Sequence, residues 1–483
     1  MRKTLVAVAL TCAFPAAFAQ SRGPEADESL ASGPTRVELY GIVDGGYEYY
    51  KFGDKSASRL MSGMSAGSRW GLRGSENLGN GMRAVFVLES RFSIDTGRVT
   101  NNDSTYSCGT GQYVPGGTAA TVGVQCPGPN GATSLPLASP LPPAAALPVR
   151  IGLNTANALL LDSITTVNGA GALFDRQAFV GLVTPVGIVA FGRQYTPGYE
   201  VLNRFNAFAD QTAGQMGQGF ANLKIRANNS VMYRAELKGF TLSALYGFGG
   251  SEGSAANPNL RNERGGKPTD GDDFYGANFQ YANDLFSVGI GYNHDNVVPW
   301  ATPTTKKTGL ETLNAGATLN LGPAKFFAQY MKRKNDNPII TAADIQQVLI
   351  VGGQAGLLAV ANSLQLNPYD VDTVRGVAGK IDTSVYHLGV NVKLGPGNLL
   401  AAWNNAKDTA RSVWQTADAK ANHYAVAYFY NFSKRTQLYG AYAYMDNSGP
   451  SRMGLNSAGY TSGFATSEGA GVYAVQAGLR HAF

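Results

Sequence analysis

Beyond its first twenty residues the chain has no run of eighteen apolar residues, which excludes a membrane-spanning helix. Cysteine is nearly missing, with three in 483 residues and Cys12 among the first twenty, so no disulfide framework holds the fold. Charge is scarce as well, at 15% of residues. The formal net charge is +6, and removing Arg2 and Lys3 leaves thirty-seven basic side chains against thirty-three acidic ones. So small an excess argues against nucleic acid as a partner. The four histidines, His294, His387, His423 and His481, are far apart and have no Cys or His at metal-ligand spacing. No metal site and no cofactor is expected, and the histidines are assigned to the lumen or to interfaces.

What is present begins with an export signal. Met1, Arg2 and Lys3 precede an apolar run from Leu5 to Phe18 that contains Pro15 and closes in Ala17-Phe18-Ala19, a small-x-small cleavage site. The run is too short to serve as an anchor, so residues 1–19 read as a cleaved signal peptide and 20–34 as an N-terminal extension. Sixty glycines, twenty-four tyrosines and twenty-two phenylalanines fit many short strands joined by glycine-rich turns.

The strands show as alternation. A strand crossing a membrane shows apolar residues to lipid and polar ones to a lumen, with period two. Between Glu311 and Leu321, Leu313, Ala315, Ala317 and Leu319 alternate with Thr312, Asn314, Thr318 and Asn320. Phe240, Leu242, Ala244 and Tyr246 alternate with Thr241 and Ser243, and Tyr386, Leu388 and Val390 with His387 and Asn391. Marking every such segment gives sixteen strands, the first two at 35–50 and 67–76 and the last at 469–483. Tight turns such as Asn77-Leu78-Gly79-Asn80 and Leu394-Gly395-Pro396-Gly397 alternate with long connections. The fold expected is all-β: a sixteen-stranded antiparallel transmembrane β-barrel over 35–483, with short periplasmic turns and long external loops. Closure removes the unpaired edge that hydrocarbon would penalise, and this strand number leaves an aqueous channel.

Parity then picks out charged residues for the lumen. Arg69 and Arg73 are out of phase with Trp70 and Leu72, while Arg83, Glu89 and Arg91 are out of phase with Ala84, Phe86 and Leu88. Arginine facing lipid at mid-bilayer is costly, so the phasing is constrained. The pattern Gly63-Met64-Ser65-Ala66-Gly67 matches a nucleophile elbow, but that motif needs a strand before it and a helix after it. Here a loop is expected before it and a strand after it, so no catalytic residue is assigned. Cys108 and Cys126 lie together in one long connection, where an oxidising exterior suggests a local disulfide, with two free thiols as the alternative. Within Thr341 to Leu364 a short helical run broken at Gly352-Gly353 is expected.

The chain resembles the trimeric Gram-negative outer-membrane porins of the betaproteobacterial general-porin type. The most specific likeness is the hairpin from Gly67-Ser68-Arg69-Trp70-Gly71 to Asn77-Leu78-Gly79. Val37 to Asp44, Arg176-Gln177-Ala178-Phe179, Gly192-Arg193-Gln194-Tyr195, Asn228-Asn229-Ser230-Val231 and the terminal Gly478 to Phe483 add to it. The resemblance implies passive diffusion of ions and small hydrophilic solutes, a homotrimer in outer-membrane lipid and lipopolysaccharide, and Phe483 as the signal read by the barrel-assembly machinery. It also implies a third loop, 197–226, folded into the pore as its constriction. Arg176 and Arg226 join the arginines there, with Glu200 and Asp210 on the loop as facing charges and a weak to moderate anion preference. The second loop (94–172) and the sixth (334–380) are enlarged beyond the family pattern. A substrate-selective channel of the same fold and a plugged barrel acting as an adhesive or structural protein are the alternatives; a barrel hydrolase would need a serine–histidine arrangement that these residues do not supply.

Overall fold

The computed structural model describes residues 35–97, 125–126, 133–134, 173–216, 225–248, 273–297, 308–335, 381–409, 417–451, 453–457, 460–461 and 468–483. The wall is built from β1 (Arg36–Phe52), β2 (Lys55–Ser62), β3 (Arg69–Gly79), β4 (Met82–Arg91), β5 (Gln177–Thr184), β6 (Gly187–Tyr195), β7 (Arg226–Leu237), β8 (Phe240–Gly247) and β9 (Phe274–Ala282). It continues through β10 (Phe286–Val297), β11 (Thr308–Leu321), β12 (Ala324–Asn335), β13 (Ile381–Leu394), β14 (Gly397–Asp408), β15 (Ala419–Asn431), β16 (Thr436–Ser448) and β17 (Val472–Ala482). Neighbours are antiparallel, and β17 returns to β1 in register from Ile42↔Ala482 to Phe52↔Val472. No edge is left open, which is what hydrocarbon requires.

β2 and β3 pair with the same edge of β1, Phe52↔Lys55 to Gly45↔Ser62 and then Ile42↔Arg69 to Arg36↔Ser75. They are one wall strand in two pieces, so the closed barrel has sixteen strand positions. This corrects two expectations. The second strand begins at Lys55 rather than at 67, and the first external connection is the two-residue turn Gly53–Asp54 rather than a long loop. Alternation missed the upper piece because Gly63–Ser68 interrupts it. There Ser65 N and Ala66 N donate to the Asp44 carboxylate at 3.4 and 3.0 Å, and Tyr439 donates to it at 2.8 Å. The nucleophile-like pattern is therefore a curl between two strands with no helix after it.

Burial follows the predicted phases. On β8, Phe240 and Leu242 are exposed outward while Thr241, Ser243 and Leu245 are buried. On β11, Leu313 and Leu319 face out and Thr312, Asn314 and Thr318 face in. Phe483 completes the closure: it exchanges backbone hydrogen bonds with Gly41 at 3.0 and 3.1 Å, and its ring lies where a Gly41 side chain would be.

The inner loop after β6 opens with α1 (Pro197–Arg204), capped by Thr196 with proline at its first position. It lies inside the barrel: Asn293 accepts from Gly198 N at 2.9 Å, Asn314 donates to Gly198 O at 3.1 Å, and Asn278 donates to Pro197 O at 3.0 Å. Absent side chains mark its track along the wall. A Cβ on Gly316 would lie 2.4 Å from Phe205 Cβ, and one on Gly389 would lie 2.5 Å from Ala207 Cβ. Further round, Ala207, Phe208, Ala213 and Met216 pack against a lumen face made small by Ala402, Ala425, Ala427, Ala441 and Ala443. Thr212 N then donates to Met64 O at 2.8 Å, tying the loop to the curl between β2 and β3.

The helix expected within 341–364, Cys108, the leader and most of the second loop lie outside the described residues.

Candidate functional site

Four arginines converge where the inner loop leaves the wall. Register pairs Arg69 with Arg91 and Gly71 with Glu89 across β3 and β4, so all of these share the lumen face that parity assigned. Glu89 is 4% exposed and receives Arg176 Nε at 2.6 Å, Arg69 Nε at 3.4 Å and the Tyr40 hydroxyl at 3.1 Å. Arg91 lies 3.5 Å from Asp175, whose other oxygen accepts the Arg91 backbone N–H at 2.9 Å. Arg176, whose phase the sequence left open, is turned inward.

Tyr195 stands at the centre. Its hydroxyl oxygen accepts from Arg176 and from Arg226, both at 2.9 Å, and the Arg226 guanidinium lies 4.5 Å from its ring centroid. Its ring also stacks on Tyr199 of α1 with centroids 5.0 Å apart. Tyr199 donates to Asp210, which brings that carboxyl to the arginines. Burial pushes the Asp210 carboxyl up to about 6, although Arg176, Arg226, Arg69 and Arg91 all pull the other way.

The remaining expected residues are placed differently. Arg73 is bound to Glu38 at 2.9 Å, with its guanidinium 5.0 Å from the centroid of the Tyr40 ring. Glu200 faces the wall, not the arginine cluster: Arg234 lies at 3.0 Å, Asn278 donates at 2.7 Å and Ser243 at 3.2 Å. Tyr195, Asp175 and Tyr40 were not singled out by sequence. Strict alternation hides Tyr195, because Ile188 and Ala190 are the inward residues of β6. A bulge breaks the phase: two residues, Asn228 and Asn229, oppose Arg193, with Asn229 at φ 45°, and beyond it Gln194 and Tyr195 are both buried.

The histidines also regroup. His387 and His423 meet through Asn404 on the lumen face, whereas His294 stacks outward on Tyr275 with centroids 4.7 Å apart and His481 bonds Thr436 at 2.9 Å. Among the described residues no three His, Cys, Asp or Glu side chains form a metal-binding group.

Comparison with known proteins agrees with this geometry. The Gram-negative porin family model matches residues 4–450. Outer membrane porin protein 32 of Delftia acidovorans is 24% identical over 494 residues, and an outer membrane porin protein of Bordetella pertussis is 23% identical over 506, with both chains fully covered in each case. Among solved structures, an anion-selective porin from Comamonas acidovorans superposes with TM-score 0.60 at 22% identity, covering 93% of this chain and all of that one. The trimer form of OmpT from Vibrio cholerae gives 0.51 at 14% identity, covering 93% and 100%. The closed sixteen-stranded barrel, the loop inside it and the family match together place this chain in the Gram-negative porin family, as a passive channel of the outer membrane.

Proposed function

We propose that the pore favours anions, weakly to moderately. Arg226 carries this reading: it is 2% exposed, and among the described residues its Nε and Nη1 have no hydrogen-bond partner and no carboxylate pairs with it. With Arg69, Arg91 and Arg176 beside it, four positive charges stand against Glu89, Asp175 and Asp210. A low-dielectric wall focuses the field at a narrow point, so this local excess outweighs the charges spread over the loops. Chloride should permeate better than potassium, with the preference weakening at high salt as screening shortens the field. The solved Comamonas relative, described as anion-selective, is consistent with this.

Reversal potential in a potassium chloride gradient tests it. Arg226→Gln should move the potential toward cation selectivity; cation preference in the unmodified protein would overturn the reading. Saturating conductance with one solute class would point instead to a substrate-selective channel.

The same reading takes residues 1–19 as a cleaved signal peptide, 35–483 as the barrel, 197–226 as the constriction loop, and 94–172 and 334–380 as enlarged external loops. It includes a homotrimer surrounded by lipid and lipopolysaccharide, with Phe483 as the residue read by the assembly machinery. Exposed apolar residues on the outer faces of β1, β16 and β17, among them Leu39, Tyr442, Val475 and Leu479, support the trimer contact. Solutes move down their gradients, so no bond-making step is assigned.

A further inference from the structure

We propose that the N-terminal extension, residues 20–34, folds back into the periplasmic end of the lumen and docks on Arg36, Arg73 and Arg83 and on the apolar strip beside them. The proposal rests on the removal of residues 1–19, and its readout below is independent of which ion the pore prefers.

The point where the extension joins the wall is fixed. Thr35 Oγ1 accepts the Asn77 N–H at 3.2 Å, beside the tight turn between β3 and β4. Asn77 is in register with Arg83, and Arg36 with Ser75, whose hydroxyl accepts from Arg83 at 2.9 Å. Arg36 lies 3.2 Å from Glu38, which also receives Arg73 at 2.9 Å. Three guanidinium groups on three adjacent strands thus stand around one carboxylate, while Glu76 is exposed and in the opposite phase. Beside them the lumen face carries side chains that a water-filled channel does not call for. Val85 and Val87 share the phase of Arg83 and are buried with Ile188 of β6, and Phe179 and Val183 of β5 pack against them.

The extension is complementary to both features. Three carboxylates fall within four residues, Glu25, Asp27 and Glu28, with Arg22 and the N-terminal amine further from the wall in sequence. Leu30, between the acids and the wall, is the one large apolar side chain of the segment and suits the strip. Gly33-Pro34 supplies a turn immediately before Thr35, through which the chain can reverse into the lumen. Extended chain covers about 3.3–3.6 Å per residue, so Glu28, seven positions before Thr35, can reach about 23–25 Å from it, and the arginines one and two strands away lie within that range. A short tether holds the segment at a local concentration of about a millimolar or more, so contacts that would be weak between separate molecules suffice. Opposite charges at a low-dielectric wall supply the attraction.

Limited proteolysis of the purified mature protein in detergent tests this. At low salt a glutamate-specific protease should cut after Glu25 and Glu28 about tenfold more slowly in the unmodified protein than in Arg36→Gln with Arg83→Gln, because cleavage tracks the undocked fraction. In about 1 M salt, where the Debye length falls to about 3 Å, the two rates should converge. If the double variant does not fold, a change outside the barrel wall decides the matter. Glu25→Gln with Asp27→Asn and Glu28→Gln should speed tryptic cleavage after Arg22 by a similar factor, with synthetic peptides of residues 20–34 in both sequences as the reference for intrinsic rates. Rates at low salt that are equal to those of the variants would overturn the docking. The intact mass of the purified protein reads the removal of residues 1–19 separately, and a mature chain lacking Glu25 to Glu28 would overturn the proposal as well.

Discussion

At the scale of single residues, Tyr195 organises the constriction because its oxygen accepts from two guanidinium groups while its ring meets both the Arg226 guanidinium and the Tyr199 ring. Through Tyr199 it also places Asp210. A carboxyl raised to about 6 is ionised at neutral pH and loses its charge as the pH falls through that value. The local excess of positive charge then grows by one, so anion preference should increase between about pH 7 and pH 5. Reversal potentials across that range check it, and Asp210→Asn should give a pH-independent preference already at the acid value. A preference that falls on acidification would mean that Asp210 does not face the permeating ions. Which carboxylate faces the arginines was not legible in the sequence. Glu200 and Asp210 sit on the same loop, but α1 turns Glu200 to Arg234 on the wall.

At the scale of elements, the inner loop stays in place because the wall beside it lacks side chains. Gly316 and Gly389 leave the space that Phe205 and Ala207 occupy, and the alanines beyond them form a flat apolar seat. Gly316→Val should therefore unseat the end of α1 while leaving the strand ladder intact, changing single-channel conductance without loss of the folded barrel. Conductance and noise like those of the unmodified protein would show that the loop does not depend on that space. The outer face obeys the opposite rule. Ile290, outward and 48% exposed in the middle of β10, lies where hydrocarbon solvates the strand. Ile290→Lys should cost about 2–4 kcal/mol in refolding equilibria into vesicles, with normal conductance in the molecules that fold. Period-two alternation made this face legible residue by residue. It failed at Gly63–Ser68 and at Asn228–Asn229, where a curl and a bulge break the alternation.

At the scale of the whole molecule, closure between β17 and β1 makes the fold one unit, so the first and last strands meet where Gly41 and Phe483 exchange backbone hydrogen bonds. The apolar outer faces of β1, β16 and β17 lie together at that seam. A homotrimer through this face, with the rotational symmetry that such contacts favour, should run as a heat-modifiable band on gels and as a trimer in detergent ultracentrifugation. Monomer alone in ultracentrifugation would count against it.

From the sequence by itself come the barrel, its strand number, the lipid and lumen phases and the inward phase of Arg69, Arg73, Glu89 and Arg91, because a two-residue repeat is a local property that hydrocarbon enforces strand by strand. Tertiary structure alone decided which of those charges meet. Arg176 reaches Glu89 across 87 positions, Arg226 reaches Tyr195 across 31, and His387 finds His423 through an asparagine on the strand between them. Such meetings depend on strand register, on a bulge that breaks the alternation and on where a loop finds room, and no local repeat encodes any of the three.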